Sequence, residues 1–180
     1  MKRFQSSITA AAIGVALGTA LIASLPAYAG TATANLSITA SVPPNCTIST
    51  AAVAFGAYDP VVTNAATALT GNGSITIACT KASIPTLKLD LGATPAGSVR
   101  QMASGAERLP YELYQPPTNV AGVACGALTQ VWGTSGSAIL TTVAAPSKAA
   151  RTYNVCGSIP GGADVAVGAY ADTVIATVTF

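Results

Sequence analysis

Residues 31–42, TATANLSITASV, alternate a small or apolar side chain with a polar one at every step. Ala32, Ala34, Leu36, Ile38, Ala40 and Val42 fall on one face, and Thr31, Thr33, Asn35, Ser37, Thr39 and Ser41 fall on the other. A period of two is the signature of a half-buried β-strand. The stretch stands ahead of the first cysteine and is cut off from the rest of the chain by Pro43-Pro44. A strand this regular needs a sheet, because its backbone donors and acceptors require partners.

Upstream, Lys2 and Arg3 precede an apolar run over residues 8–25 and then Pro26-Ala27-Tyr28-Ala29. Two positive charges, an apolar segment and an A-x-A site predict a secretory signal peptide cleaved after Ala29. The chain divides into a signal peptide (1–29), an extension (30–44) and one domain (45–180), a length suited to a single core. The chain carries eight Lys and Arg against six Asp and Glu. Loss of Lys2 and Arg3 leaves six of each, a formally neutral and sparsely charged exported protein. No basic patch is present to attract nucleic acid or anionic lipid, and no stable membrane insertion is expected of the processed chain. A neutral surface of this kind associates readily.

All four cysteines, Cys46, Cys79, Cys125 and Cys156, lie in the exported part. An even count in an oxidising compartment reads as two disulfides, with three pairings open. There is no histidine and no C-x-x-C pair, so metal-ligand spacing is absent.

The remaining chain reads as short strands separated by turn chemistry. Residues 46–56 alternate loosely; Tyr58-Asp59-Pro60 and Asn72-Gly73 read as turns. Residues 74–80 place Ile75, Ile77 and Cys79 on one face, and residues 86–91 place Leu87, Leu89 and Leu91 inward. Segments 99–103 and 109–115 flank a hairpin tip at Ser104-Gly105-Ala106-Glu107. A Pro-rich insertion, 116–127, carries Cys125, and strands are expected again over 138–144 and 152–156. Turn signals every 8–12 residues or so predict a β-sandwich. The last stretch, 172–180, alternates Val174, Ala176, Val178 and Phe180 on one face and then stops, although sandwiches usually blunt or cover their edges. The domain therefore reads as one strand long at its N-terminus and one strand short at its C-terminus.

Several of these segments resemble a known family. Asn45-Cys46-Thr47, Phe55-Gly56-Ala57-Tyr58-Asp59-Pro60 and Gly73-Ser74-Ile75-Thr76-Ile77-Ala78-Cys79-Thr80 are similar to segments of the spore coat protein U domain. So are Leu109-Pro110-Tyr111-Glu112-Leu113-Tyr114, Val131-Trp132-Gly133, Ile159-Pro160-Gly161 and Gly168-Ala169-Tyr170-Ala171-Asp172, with the Val-Thr-Phe end. That family includes pilins of archaic chaperone–usher pili. The resemblance implies an all-β, incomplete immunoglobulin-like sandwich lacking its last strand and completed by donor-strand complementation. It implies a structural subunit of a secreted surface fibre that supports adhesion and biofilm formation. The subunit would form a homopolymer by strand exchange, with a periplasmic chaperone and an outer-membrane usher as partners and no cofactor.

By the same resemblance, Leu36, Ile38 and Val42 are the main donor anchors and Ala32, Ala34 and Ala40 fill shallower positions. Burying one Leu, Ile or Val side chain contributes roughly 1.5–3 kcal/mol, and strand addition supplies main-chain hydrogen bonds as well. Val174, Ala176, Val178 and Phe180 would line part of the acceptor groove, and the Phe180 carboxylate would be held by basic residues of the chaperone. The resemblance places a disulfide between Cys46 and Cys79. Cys125 and Cys156 depart from the family pattern, and their joint appearance favours a second bridge pinning the insertion to a strand.

Two other function classes compete. An enzyme is disfavoured because the absence of histidine excludes Ser-His-Asp and Cys-His arrangements. Asp59, Asp90, Glu107, Glu112, Asp164 and Asp172 show no paired spacing and read as solvated carboxylates, Asp172 alone suggesting a role in the turn into the last strand. A self-contained exported or tip-located sandwich binding carbohydrate or a surface is the alternative. Trp132, Tyr111, Tyr114 and Tyr153 could stack on sugar, though such aromatics more often pack in a core.

Overall fold

The structure, a computed structural model, describes residues 29–180. The signal peptide expected over residues 1–29 lies, but for Ala29, outside the described residues. No helix among the described residues is long and apolar enough to cross a membrane.

The described residues form eight strands in order: β1 (Cys46–Ala54), β2 (Leu69–Cys79), β3 (Thr86–Leu89), β4 (Arg100–Ser104), β5 (Glu107–Tyr114), β6 (Leu140–Thr141), β7 (Arg151–Ile159) and β8 (Ala176–Thr179). Every pairing among them is antiparallel. One sheet runs β1-β2-β7-β5-β4 and the other β6-β3-β8. This is the all-β, two-sheet sandwich expected from the period-two patterning. The core comes from alternate positions: Ile75 and Ile77 of β2, Leu87 and Leu89 of β3, Leu113 of β5, and Tyr153 and Val155 of β7 are all buried. Half-buried strands of this kind hold together because each apolar face removes its neighbour's from water.

Asn72-Gly73 is not a turn. The expected strand over 74–80 begins earlier, at Leu69, and the Asn-Gly pair lies inside β2 facing β7. The physical reason is a floor of glycines. Gly71 pairs with Gly157 across the ladder, and Gly73 sits two residues on. A Cβ on Gly73 would stand 2.6 Å from Val53, one on Gly71 2.9 Å from Phe55, and one on Gly157 2.6 Å from Phe55. These glycines make room for the end of β1 to lie across the inner face of the sheet, a use of glycine in strands distinct from turn-making. The β1–β2 register shifts between Ala51 and Ala54, a bulge that turns Val53 and Phe55 onto that floor.

Other boundaries also move. The strand expected over 138–144 forms a ladder only at Leu140–Thr141, because Thr142 instead donates both its N–H (3.1 Å) and its hydroxyl (2.9 Å) to the Pro85 carbonyl. β3 ends at Leu89, leaving Leu91 half-buried beyond it. The last strand pairs only over Ala176–Thr179. Ala171 still bridges Ala103 in β4, so residues 172–175 cross from one sheet to the other.

Asp172 organises that crossing. Its Oδ1 accepts the N–H groups of Ala93 and Thr173, each at 2.8 Å, and its Oδ2 accepts the Tyr111 hydroxyl at 2.6 Å. Gly92 has a φ of +84°, and a Cβ there would collide with this carboxylate. The expected turn-fixing role of Asp172 is what the geometry gives. Glu112, by contrast, is not a free surface carboxylate. It pairs with Arg100, whose side chain is fully buried. The Arg100 guanidinium also donates to the carbonyls of Asp90 (2.6 Å) and Trp132 (3.0 Å), tying β4 to the loop after β3. A buried cation is tolerable only when its donors are satisfied in this way.

The structure joins Cys46 to Cys79 and Cys125 to Cys156. The first bridge links opposed residues of β1 and β2. The second anchors the 116–127 insertion to β7, where Gly122 donates to Thr152 and Asn154 donates to Val123, both at 2.7 Å.

Candidate functional site: an open groove between two sheet edges

β1 is the edge of the five-stranded sheet and β8 is the edge of the three-stranded sheet. Beside residues 50–55 and 173–176 the sandwich is open. A groove of about 610 Å³ runs there, walled by Thr50 and Val53 on the β1 side and Val174 and Ala176 on the other, with Ile75 and Leu113 among its deeper contacts. Beyond it lies a second groove of about 840 Å³, bordered by the 56–60 loop and by residues 165–170. Val53, Phe55, Met102 and Tyr170 line both and form a shared wall.

The sandwich is unfinished along this line. Ile48 is register partner to Ile77 and faces the same way, yet Ile77 is 0% exposed and Ile48 is 37% exposed. Residues directly opposite on an antiparallel pair share one face, so the difference comes from the layer above them. Ile77 is covered within the core and Ile48 is left partly uncovered.

Of the expected acceptor residues, Val174 and Ala176 line the groove. Val178 is half-buried against the core farther along β8, and Phe180 is exposed past its end. Thr50, Val53 and Phe55 of the β1 side, together with Met102 and Tyr170, are groove residues that the alternation of the final strand could not reveal. Their only sequence signal is the Gly71, Gly73 and Gly157 set that β1 covers.

Residues 31–42 carry no strand assignment and are exposed throughout. Leu36, Ile38 and Val42 are 84%, 86% and 79% exposed. Ala32, Ala34 and Ala40 are exposed with them.

The chemistry of the site is that of packing and main-chain pairing. Phe55 meets Tyr111 edge-on, centroids 6.2 Å apart at 66°. Tyr111 is held neutral well above the usual phenol range, first by burial and then by its hydrogen bond to the Asp172 carboxylate. Tyr170 is shifted the same way by burial and by Glu107, and its hydroxyl donates to the Ala166 carbonyl at 2.7 Å. Away from the first groove, Tyr58 links the loop after β1 to the turn after β7: its hydroxyl donates to Pro160 (2.7 Å) and accepts from Ala163 (2.8 Å). Asp59 accepts the N–H groups of Val62 and Val61, which hold its carboxyl below the usual range. Among the described residues no cluster of His, Cys, Asp and Glu side chains could hold a metal ion. Of the four aromatics considered for sugar stacking, Trp132, Tyr111 and Tyr153 are buried and offer no platform, and Tyr114 is half-buried.

Comparison with known proteins agrees with this architecture. The Spore Coat Protein U domain model matches residues 32–177. The chain belongs to the Spore Coat Protein U domain family. The match begins within the exposed 31–42 segment, so the family pattern takes in that segment as well as the sandwich. Protein U of Myxococcus xanthus is 35% identical over 191 residues, an alignment covering 98% of this chain and all of that protein. Among solved structures, the spore coat U chain superposes on one from the CsuC-CsuE chaperone–tip adhesion subunit pre-assembly complex of the archaic chaperone-usher Csu pili of Acinetobacter baumannii. The TM-score is 0.53 at 22% identity, over 77% of this chain and 40% of that one. The spore coat U chain thus spans less than half of that neighbour, and the likeness is one of fold.

Proposed function

We propose that this protein is a structural subunit of an exported surface fibre of the archaic chaperone–usher type. It polymerises by donating residues 31–42 to the groove of a neighbouring subunit. The observation that carries the reading is the coincidence of an alternating, fully exposed segment with an open groove between two unpaired sheet edges. Exposed apolar surface on this scale in one chain marks an interaction site. A strand laid between β1 and β8 would satisfy edge donors and acceptors and cover Ile48, Val174 and Ala176 together.

Leu36, Ile38 and Val42 are the anchors of the joint, with Ala32, Ala34 and Ala40 between or before them. The acceptor comprises Val174, Ala176 and Val178 with the inner face of β1. Phe180 is exposed past the end of β8, where a periplasmic chaperone could reach it. The neighbour with a related fold comes from a complex described as a chaperone with a pilus subunit. That description supports a chaperone as transient occupant, and by extension an outer-membrane usher as the site of exchange. Export to the periplasm and then to the cell surface is part of this reading, as are adhesion and biofilm formation as fibre properties.

Deletion of residues 31–42 tests the reading. The intact protein is expected to form heat-resistant multimers by native mass measurement, and the deleted protein is expected to stop at the monomer. Multimers that survive the deletion unchanged would rule out strand donation by this segment.

A further inference from the structure

Phe55 divides the groove, and the donor segment carries a matching small residue. Phe55 and Val53, turned inward by the β1 bulge, rest on Gly71, Gly73 and Gly157. With Met102 and Tyr170 they wall off the groove beside β8 from the one bordered by the 56–60 loop. Phe55 is backed by Tyr111 and by a floor on which even one methyl group would collide. It has no room to sink deeper. Anything crossing from one compartment to the other must therefore pass over it with little side-chain bulk of its own.

In the 31–42 segment the inward face reads Ala, Ala, Leu, Ile, Ala, Val. Only Ala40 is a small residue with large apolar residues on both sides, Ile38 before it and Val42 after it. Two-residue steps along a strand are about 6.6 Å, so Ile38 and Val42 stand about 13 Å apart with Ala40 midway. We infer that Ala40 of one copy crosses Phe55 of the next, placing Val42 in the compartment beside the 56–60 loop. Leu36 and Ile38 then lie in the compartment beside β8. The pairing fixes the register of the strand, since a shift of two residues in either direction would set Ile38 or Val42 against the wall. It rests on the strand-donation reading and adds the residue that measures the donor's position.

The test is a complementary size swap in the full chain. Ala40→Leu is a donor change at an exposed position and is expected to cut multimer yield or assembly rate at least tenfold. Phe55→Ala or Phe55→Leu in the accepting copy is expected to restore assembly with the Ala40→Leu donor. The two acceptor variants are used side by side, with thermal unfolding and intact disulfides as the check that each remains folded. Normal assembly of Ala40→Leu with wild-type Phe55, in a background where deleting residues 31–42 abolishes multimers, overturns the register while leaving strand donation standing. Failure of both folded Phe55 variants to rescue Ala40→Leu overturns it too. Multimers persisting after the deletion overturn the underlying reading instead.

Discussion

Ile48 and Ile77 are partners across the β1–β2 ladder, and one is 37% exposed while the other is 0% exposed. The two share a side chain, a face and a sheet, so the contrast measures the missing cover over β1. An inserted strand should bury Ile48 without altering Ile77. Ile48→Asp is accordingly expected to leave the subunit folded, with an apparent unfolding midpoint near wild type, while removing its capacity to accept a donor. Size-exclusion of mixtures of this variant with a wild-type donor checks it, and full incorporation would contradict it.

On the donor side, Ile38→Asp should stop the variant from donating yet leave its own groove able to receive a strand. An isolated carboxylate in an apolar groove is expensive to bury unless it takes up a proton, whereas the same residue exposed costs nothing. Chain-length distributions from mixtures should show the variant only at the end of a chain where its groove is filled and its extension is free. Wild-type-length polymers of the variant alone would show that Ile38 is not an anchor.

The two disulfides close stretches of similar span, with sequence separations of 33 and 31. In the chain-entropy account each stabilises by roughly 3–4 kcal/mol. Replacing Cys125 and Cys156 together by serine should lower the melting temperature and increase amide exchange in the 116–127 insertion. The effect should be local, because the Cys156 side chain leaves β7 on the face opposite groove-lining Val155 and the Gly157 floor. Peptide mapping without reductant is expected to recover the 46–79 and 125–156 pairs.

Arg100 is fully buried and ion-paired with Glu112, and it also serves the carbonyls of Asp90 and Trp132. Removing one partner of a buried pair typically costs about 3–5 kcal/mol. Glu112→Gln keeps an acceptor beside the guanidinium and should cost less than Arg100→Met, which abandons Glu112 and the carbonyls of Leu89, Asp90 and Trp132 at once. Denaturant unfolding of the two variants gives the comparison; equal costs would mean that the ion pair alone carries the stabilisation.

Acid should loosen the loop after β1 first. The Asp59 carboxyl is held below its usual range by the N–H groups of Val62, Val61 and Thr63. A depressed folded value means that its contribution is present above the unfolded carboxylate range, near pH 4, and is lost as pH falls through the folded value. Protection of the Val61, Val62 and Thr63 amides, relative to their intrinsic exchange rates, should therefore fall below about pH 4, and Asp59→Ala should show the lower protection above that range and converge with wild type in acid. Tyr111 has the opposite signature. Its raised value means stability is retained up to the ordinary phenol range and lost only as pH rises toward the folded value, so its ultraviolet titration should coincide with alkaline unfolding.

The period-two pattern determined the all-β class, the inward residues of β2 and β3 and the alternation of residues 31–42, and turn residues marked the hairpin tip at Gly105. These are local properties, because side-chain direction in a strand is fixed by backbone geometry. Tertiary structure decided which side chains wall the groove. Gly73 reads locally as a turn residue, and only the convergence of Gly71, Gly73 and Gly157 from two strands beneath Phe55 gives them a role. Glu112 likewise reads as a solvated carboxylate until folding sets it against Arg100, whose guanidinium is held by the carbonyls of Asp90 and Trp132. Residues 31–42 declared themselves a strand without declaring a sheet, since a strand's periodicity is written in its own residues. The gap between β1 and β8 is made by residues more than a hundred positions apart, and only the folded chain brings those edges together.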